Sequence, residues 1–286
     1  MNPAEYEKMF RVEDTHWWFA GKRRLVRVLL DLLPAPAGGA PPVLHAAVRE
    51  SGALAPVGAT PQAVRAAVRE SGALAPARAA RAILDVGCGT GGMAVLLKEY
   101  GRVYGVDASE LAISFSARRG IATLERAALP WLPFAAGVFD VATAFDVLYH
   151  RHIESDEAAL AEIARVLKPG GRLILTDSAL GALRSAHDEA LQAARRYSAA
   201  EMSNKLRRTG FTVQRMSYAN FFIFPAAAAW RLLRRGVRGD AGSDVASMPA
   251  WLNALMGLVY RAEAGLFRRV DLPIGTSIIA LAVRNG

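Results

Sequence analysis

Hydrophobic and polar positions in the chain alternate between short apolar runs and longer stretches with helical periodicity. Between residues 81 and 220 the apolar runs have the length expected of buried strands. The stretches between them repeat apolar residues at helical spacing, as at Leu160, Ile163, Ala164 and Leu167. The predicted strands are 82–86, 102–106, 122–125, 139–145, 172–176, 212–218 and 277–283. Alternating strands and helices predict an α/β protein with a Rossmann-like, mainly parallel sheet.

The segment 83–92, ILDVGCGTGG, is the central motif of this pattern. An apolar run leads directly into Gly87, Gly89, Gly91 and Gly92. Closely spaced glycines after a strand indicate a sharp turn into a helix, because residues without Cβ atoms tolerate positive φ and close approach of a ligand. The helix that follows presents free N–H groups. The motif therefore predicts a cradle for a nucleotide-like ligand.

The second predicted strand ends in Asp107, 20 positions after Gly87. A carboxylate at this distance lies at the tip of the neighbouring strand and accepts the hydroxyls of a ribose. The same glycines also satisfy G-x-G-x-x-G, so a nicotinamide-dependent oxidoreductase is an alternative. Two further interpretations are a plain strand–turn–helix in which Asp107 only caps the helix, and a non-catalytic binding protein on the same fold. Asp85, two residues before the first glycine, favours a cationic ligand without phosphate.

Four motifs together resemble the class I S-adenosylmethionine-dependent methyltransferases. They are DVGCGTG at 85–91, VDAS at 106–109, LPFAAGVFD at 132–140 and RVLKPGGRLILT at 165–176. The resemblance implies a seven-stranded sheet whose last strand is antiparallel. It also implies S-adenosylmethionine as cofactor and methyl transfer to an oxygen or nitrogen of a small-molecule, lipid-linked or sugar-linked acceptor. HWWF at 16–19 resembles one subgroup of these enzymes. In this chain we expect its aromatic residues to act either as a lid on the active site or as a plain hydrophobic anchor.

The resemblance also implies a set of cofactor contacts. The glycines admit the methionine part of the cofactor, Asp85 lies near its ammonium group and Asp107 holds the ribose. Cys88 is interpreted as a small space-filling residue in the turn. The expected cofactor-binding residues are Asp85, Gly87, Cys88, Gly89, Gly91, Asp107, Ala108, Ala128, Leu129 and Asp146. Many relatives place an aspartate before the LPF stretch; this chain has none there, so the adenine contact falls to backbone groups, Leu129 or Trp131.

Candidate catalytic residues are Asp146, His150 and His187. Asp146 ends the fourth strand, and His150 follows in a loop along the expected cleft. A histidine there can exchange a proton near neutral pH, although two histidines in a loop are equally typical of a polar surface. His187 lies in an HDE segment expected above the acceptor, where helix capping is the competing interpretation. No third ligand accompanies His150 and His152 at suitable spacing, so no metal site is predicted.

The chain divides into five parts by composition. We expect an N-terminal amphipathic arm with an added helix at 1–33, an Ala/Pro/Gly-rich linker at 34–80, and the cofactor-binding core at 81–220. A helical insertion or cap at 221–275 and a final core strand at 276–286 follow. The linker repeats AAVRESGALAP at 46–56 and 66–76. Two copies do not indicate a solenoid, which needs about three repeats.

Charge and composition set expectations about partners. The chain has 286 residues, 52% hydrophobic, with a net charge of +9, and the residues from 181 onward carry 15 Lys and Arg against seven Asp and Glu. Because this region is basic and partly apolar, contact with a membrane surface through 221–269 is one expectation. A substrate cover and a dimer interface are the alternatives. Nucleic acid is an unlikely partner, and the oligomeric state is not indicated. One cysteine, no leader pattern and no long apolar segment predict a cytoplasmic protein, or one peripheral to a membrane.

Overall fold

The computed structural model describes residues 3–34, 81–183, 193–233 and 248–286. Its helices are α1 (Pro3–Val12), α2 (Trp17–Leu30), α3 (Gly92–Leu97), α4 (Glu110–Arg118), α5 (Asp156–Val166), α6 (Ala199–Arg208), α7 (Phe224–Leu233) and α8 (Ala250–Phe267). Its strands are β1 (Ala82–Val86), β2 (Arg102–Asp107), β3 (Thr123–Arg126), β4 (Phe139–Phe145), β5 (Leu167–Ser178), β6 (Phe211–Ala219) and β7 (Ser277–Arg284). The duplicated linker and His187 lie outside the described residues.

The seven strands form one sheet in the order β3-β2-β1-β4-β5-β7-β6. Strands β1 to β5 are parallel to one another, and β7 runs antiparallel to both β5 and β6. The strand order reverses between β1 and β4, which opens a crevice at the carboxyl ends of the strands. The predicted Rossmann-like sheet with an antiparallel last strand is confirmed.

Helices cover both faces of the sheet with apolar stripes. On one face α2, α3 and α8 pack against strand residues such as Ile83 and Ile174, both fully buried. On the other face α5 and α6 contribute Leu160, Ile163 and Leu206 to a second core. The N-terminal arm and the C-terminal insertion therefore pack on the same face, against each other.

The N-terminal arm contains two helices, where the sequence predicts one added helix within 1–33. Helix α2 begins at Trp17 because His16 adopts an extended conformation and its side chain accepts a hydrogen bond from the Trp18 N–H. The aromatic residues of HWWF thus form the first turn of α2 instead of preceding it. Helix α1 packs on α4, with the rings of Phe10 and Phe115 4.8 Å apart.

Strand β5 also begins earlier than predicted, at Leu167 instead of Arg172. Leu167 pairs with Phe139, and the pairing resumes with Arg172 opposite Val141 after an irregularity. The turn-forming KPGG sequence is therefore accommodated within the strand as a shift of register. The sequence pattern detects the turn but does not show that the residue before it is already paired.

A close helix crossing yields a test of the packing between α2 and α8. An added Cβ at Gly21 would lie 2.2 Å from the Tyr260 ring, whereas one at Gly257 meets nothing within 4 Å. We expect Gly21→Ala to lower the free energy of unfolding by ~1–3 kcal/mol through overpacking. Gly257→Ala, the matched control in α8, should raise it by ~0.5–1 kcal/mol through helix propensity. Urea denaturation measures both; equal effects would contradict the crossing.

Candidate active site

The glycine turn after β1 forms one wall of the crevice. Its backbone is held by hydrogen bonds from the Gly87 and Cys88 N–H groups to the Val106 carbonyl, at 2.8 and 3.0 Å. Gly89 has φ +55, and an added Cβ there would come no closer than 3.7 Å to any neighbour, the Met9 side chain. The turn is thus strained for other residues but leaves open space above it. This is the geometry of a backbone that a ligand approaches closely.

Asp107 joins the tip of β2 to this turn. Its carboxylate accepts a hydrogen bond from the Gly89 N–H at 3.0 Å and another from the Ser109 N–H at 2.9 Å. Burial raises the pKa of Asp107, while these two backbone donors oppose the rise. The side chain also lines the cavity, so it fixes the turn and presents an acceptor to a ligand.

Asp85 is a buried carboxyl beneath the turn. Thr143 Oγ1 donates a hydrogen bond to its Oδ1 at 2.7 Å, whereas Oδ2 has no hydrogen-bond partner among the described residues. Burial raises the pKa of Asp85 to about 7, and the charges of Asp107 and Glu13 add to the rise. A buried acceptor without a partner is costly, and a cationic group in the cavity would satisfy it. The ammonium group of S-adenosylmethionine fits this requirement.

The remaining predicted cofactor contacts divide into two groups. Ala108, Ala128 and Leu129 line the cavity, and so does Cys88, whose thiol is buried and whose pKa is raised by burial. Gly91 does not line it. It lies at the N-terminus of α3 in the left-handed conformation, and an added Cβ would lie 2.9 Å from Ser116 Oγ. Gly91 is therefore placed behind the cavity wall, where it serves the turn and not a ligand directly.

Asp146 stands at the carboxyl end of β4, on the other side of the crevice. Its backbone has φ +57, an uncommon conformation for a residue with a side chain. Thr176 Oγ1 donates a hydrogen bond to Asp146 Oδ1 at 3.2 Å, and Lys22 Nζ forms an ion pair with Asp146 Oδ2. Lys22 comes from α2, 124 positions earlier in the chain. The sequence places it on the polar side of the arm and gives no sign of this pair.

His150 and His152 line the same cavity. Their rings are stacked with centroids 5.1 Å apart, and the Tyr149 ring lies 4.4 Å from that of His150. His150 therefore lines the cavity, and its role in proton transfer stays a prediction. No group of three or more His, Cys, Asp or Glu side chains in the described ranges is arranged to hold a metal ion.

A single cavity of about 850 Å³ joins these parts. Residues of the N-terminal arm close it, with Tyr6 and Met9 on the side of the glycine turn and Trp17 and Trp18 on the side of Lys22. The Trp17 ring also lies 5.5 Å from that of Tyr260 in α8. The HWWF aromatics thus line the cavity and anchor α8 at once, so the two interpretations of this motif are compatible.

Glu13, directly after α1, binds the N-terminal arm to the core. The sequence does not reveal this contact. Its carboxylate accepts a hydrogen bond from Thr90 Oγ1 and lies 3.3 Å from Arg119 Nη2 in an ion pair. Arg23 Nη1 donates to the Glu13 backbone carbonyl at 2.9 Å. Glu13 is buried, and burial raises the pKa of its carboxyl. These contacts hold the arm to the core through a specific polar cluster.

Comparison with known proteins assigns the family. A methyltransferase domain matches residues 84–175, from β1 to β5. The chain is 30% identical over 201 residues to O-methyltransferase resE of Aspergillus sclerotiorum, covering 64% of this chain and 74% of that protein. It is 31% identical over 194 residues to an O-methyltransferase of Pyrenophora dematioidea, covering 62% and 72%. The solved structure of YcgJ from Bacillus subtilis is 18% identical, with a TM-score of 0.47, and the match covers 72% and 93%.

The relatives and the domain match agree with the site. The matched domain begins just before the glycine turn and ends on the strand beside Asp146. The unsatisfied Asp85 carboxyl and the Asp107 carboxylate at the tip of the neighbouring strand are compatible with a cationic nucleoside. The chain belongs to the class I methyltransferases, enzymes that take their methyl group from S-adenosylmethionine.

Proposed function

We propose that this enzyme methylates an oxygen atom of a small-molecule acceptor. The observation that carries the proposal is the single cavity that has Asp85, Gly89 and Asp107 at one end and the Asp146–Lys22 ion pair at the other. Two relatives named as O-methyltransferases support oxygen as the methylated atom. The cavity is large enough for the cofactor and a compact acceptor side by side.

We assign the cofactor end of the cavity to three groups. Gly87 and Gly89 lie against the methionine part, because both line the cavity and an added Cβ at Gly89 would meet no atom closer than 3.7 Å. Asp85 Oδ2 accepts from the ammonium group, and Asp107 accepts from the ribose hydroxyls while it keeps its two backbone donors. Leu129 and Ala128 border the adenine. Trp131 does not line the cavity and is 81% exposed, which argues against it as the adenine contact.

We assign the acceptor end to Asp146. The bound S-adenosylmethionine supplies a methyl group that its sulfonium already activates, so the protein must mainly align the acceptor and remove its proton. Thr176 and Lys22 fix the direction of the Asp146 carboxylate. In this assignment Asp146 accepts the hydroxyl proton of the acceptor, and Trp17 and Trp18 exclude water. His150 is the second candidate for the base.

The raised pKa of Asp85 predicts that cofactor affinity depends on pH. In the free protein Asp85 holds its proton below about pH 7. A bound ammonium group favours the ionised carboxylate and lowers this pKa. Binding below pH 7 therefore releases a proton, and the affinity for S-adenosylhomocysteine should fall by up to ~10-fold per pH unit below that value.

Titration calorimetry at several pH values, in two buffers of different ionisation enthalpy, measures both the affinity and the released proton. Asp85→Asn retains an acceptor for the Thr143 hydroxyl but cannot ionise, so its affinity should be lower and independent of pH. An affinity of the native enzyme that does not change between about pH 6 and pH 8 would rule out this role for Asp85.

The proposed reaction is tested by methyl transfer from labelled S-adenosylmethionine to small-molecule extracts, followed by mass analysis of the product. We expect the labelled methyl group on an oxygen atom. The bond between that oxygen and the methyl group should then be cleaved under the conditions that cleave a methyl ether or ester. Label found only on nitrogen or carbon would overturn the assignment of the acceptor atom. Thermal shifts with S-adenosylhomocysteine and with NADH provide the check on the cofactor, and only the first should stabilise the protein.

A further inference from the structure

Helix α8 carries a row of exposed apolar side chains. Trp251 is 69% exposed, Leu255 49% and Leu258 58%. Their spacing of four and three residues places them on one side of the helix. Tyr260 and Phe267, which are buried against α2 and the sheet, lie on the opposite side. The helix therefore has two apolar stripes, and within the described part of the chain only the stripe with Tyr260 and Phe267 belongs to a buried core.

The exposed side of α8 lacks negative charge. Glu263 is the one acidic residue between Ala250 and Phe267. It is fully buried, and its carboxylate accepts hydrogen bonds from the backbone N–H groups of Asn220 and Phe222. Its charge is therefore turned into the fold and away from the surface that carries the apolar row.

Positive charge continues the apolar row toward the end of the helix. Arg261, within α8, and Arg269, two residues beyond its last residue, are both exposed. No ion pair of either arginine is found among the described residues. The neighbouring Arg268 is different, because it lies 3.8 Å from Asp31 in an ion pair.

We propose that this surface docks on an anionic phospholipid bilayer. We call it the outer face of α8 and define it as Trp251, Leu255, Leu258 and Arg261, together with Arg269 just after the helix. A helix with an apolar row and flanking cations lies in the plane of the interface, with its apolar side chains ~5–10 Å deep and its arginines at the headgroups. None of the helices in the described ranges has the length and apolar character of a membrane span, so the contact is peripheral.

Anionic lipid fits this surface better than a second copy of the chain. A second copy would bring two sets of arginines together without acidic partners, whereas anionic headgroups neutralise them. A tryptophan at one end of the row and arginines at the other are also the side chains that interfacial helices place at the headgroup level. The proposal does not depend on the chemistry in the cavity.

Sedimentation with lipid vesicles tests the proposal on the full chain. We expect binding to phosphatidylcholine vesicles that contain phosphatidylglycerol, little binding to pure phosphatidylcholine, and release at high salt. Leu255→Gln should lower the partition coefficient between vesicles and solution at least ~5-fold. The double variant Arg261→Gln/Arg269→Gln should lower it by about 25-fold, at about fivefold for each arginine. Val95→Gln is the matched control, because Val95 is a similarly exposed helical residue, 44%, on α3.

Three results would overturn the proposal. They are no binding of the native chain to anionic vesicles at low salt, equal loss in Leu255→Gln and Val95→Gln, and a change of native mass in Leu255→Gln that reveals a second copy as the occupant. Calorimetry with S-adenosylhomocysteine accompanies each variant. Unchanged cofactor affinity together with lost vesicle binding separates the docking surface from the active site.

Discussion

Replacing Asp107 with alanine is expected to weaken S-adenosylhomocysteine binding by ~1.5–3 kcal/mol, roughly 10- to 150-fold, the range for hydrogen bonds to a charged group. The proposed ribose contact is lost, and so is the bond of 3.0 Å that holds the Gly89 N–H. Because the carboxylate is largely buried, water replaces these bonds poorly. Titration calorimetry measures the change directly.

Glu110→Gln is the control for this variant. Glu110 carries the same charge three positions later, but its side chain is 85% exposed and pairs only loosely with Arg126, at 3.7 Å. It should leave the affinity unchanged. The melting temperature of each apoprotein shows whether the turn itself has been damaged. Native affinity in a folded Asp107→Ala protein would remove this residue from the cofactor site.

The second large effect is expected for Asp146→Asn. The amide has nearly the shape of the carboxylate but cannot accept a proton, so methyl transfer should fall by ~10²–10⁴-fold, the usual contribution of a general base. Cofactor affinity should change little, because we assign Asp146 to the acceptor. Single-turnover rates with the acceptor identified in the labelling screen give the chemical step free of product release.

A second carboxylate on β4 provides the matched control. Asp140 also pairs with a lysine, Lys168, at 2.6 Å, but at the opposite end of the strand and away from the cavity. Asp140→Asn should cost stability and leave the chemical step unchanged at temperatures where the protein is folded. If both variants kept the native rate, the base would have to be sought elsewhere, first at His150.

Local sequence was sufficient to predict the glycine turn and the position of Asp107 beside it; their contacts with the cofactor stay a prediction. The turn at Gly87 and Gly89 and the acid at Asp107 depend on backbone conformation and on the spacing of neighbouring strands, and both are encoded within about 25 residues. The same holds for the strands, whose apolar runs appear in the sheet with ends shifted by a few residues. Gly91 shows the limit of predicting ligand contacts from sequence. A glycine that a turn requires and a glycine that a ligand requires have the same appearance in the sequence.

The acceptor half could not be predicted in the same way. Lys22 and Asp146 are separated by 124 residues, and the periodicity of α2 shows only that Lys22 is off the apolar face. The Glu13 contacts with Thr90 and Arg119 are equally remote. Such pairs depend on how complete helices pack on the sheet, which hydrophobic patterning constrains only loosely. The proposed role of His187 stays a prediction.

The position of β7 determines when the sheet can be completed. Among the described strands, β6 is hydrogen-bonded to β7 alone, and β7 also pairs with β5. During synthesis β6 leaves the ribosome more than fifty residues before β7. Until β7 has been synthesised, the hydrogen-bonding edges of β6 therefore stay unpaired. A molecular chaperone that covers this interval would protect the nascent chain from aggregation through an unpaired edge.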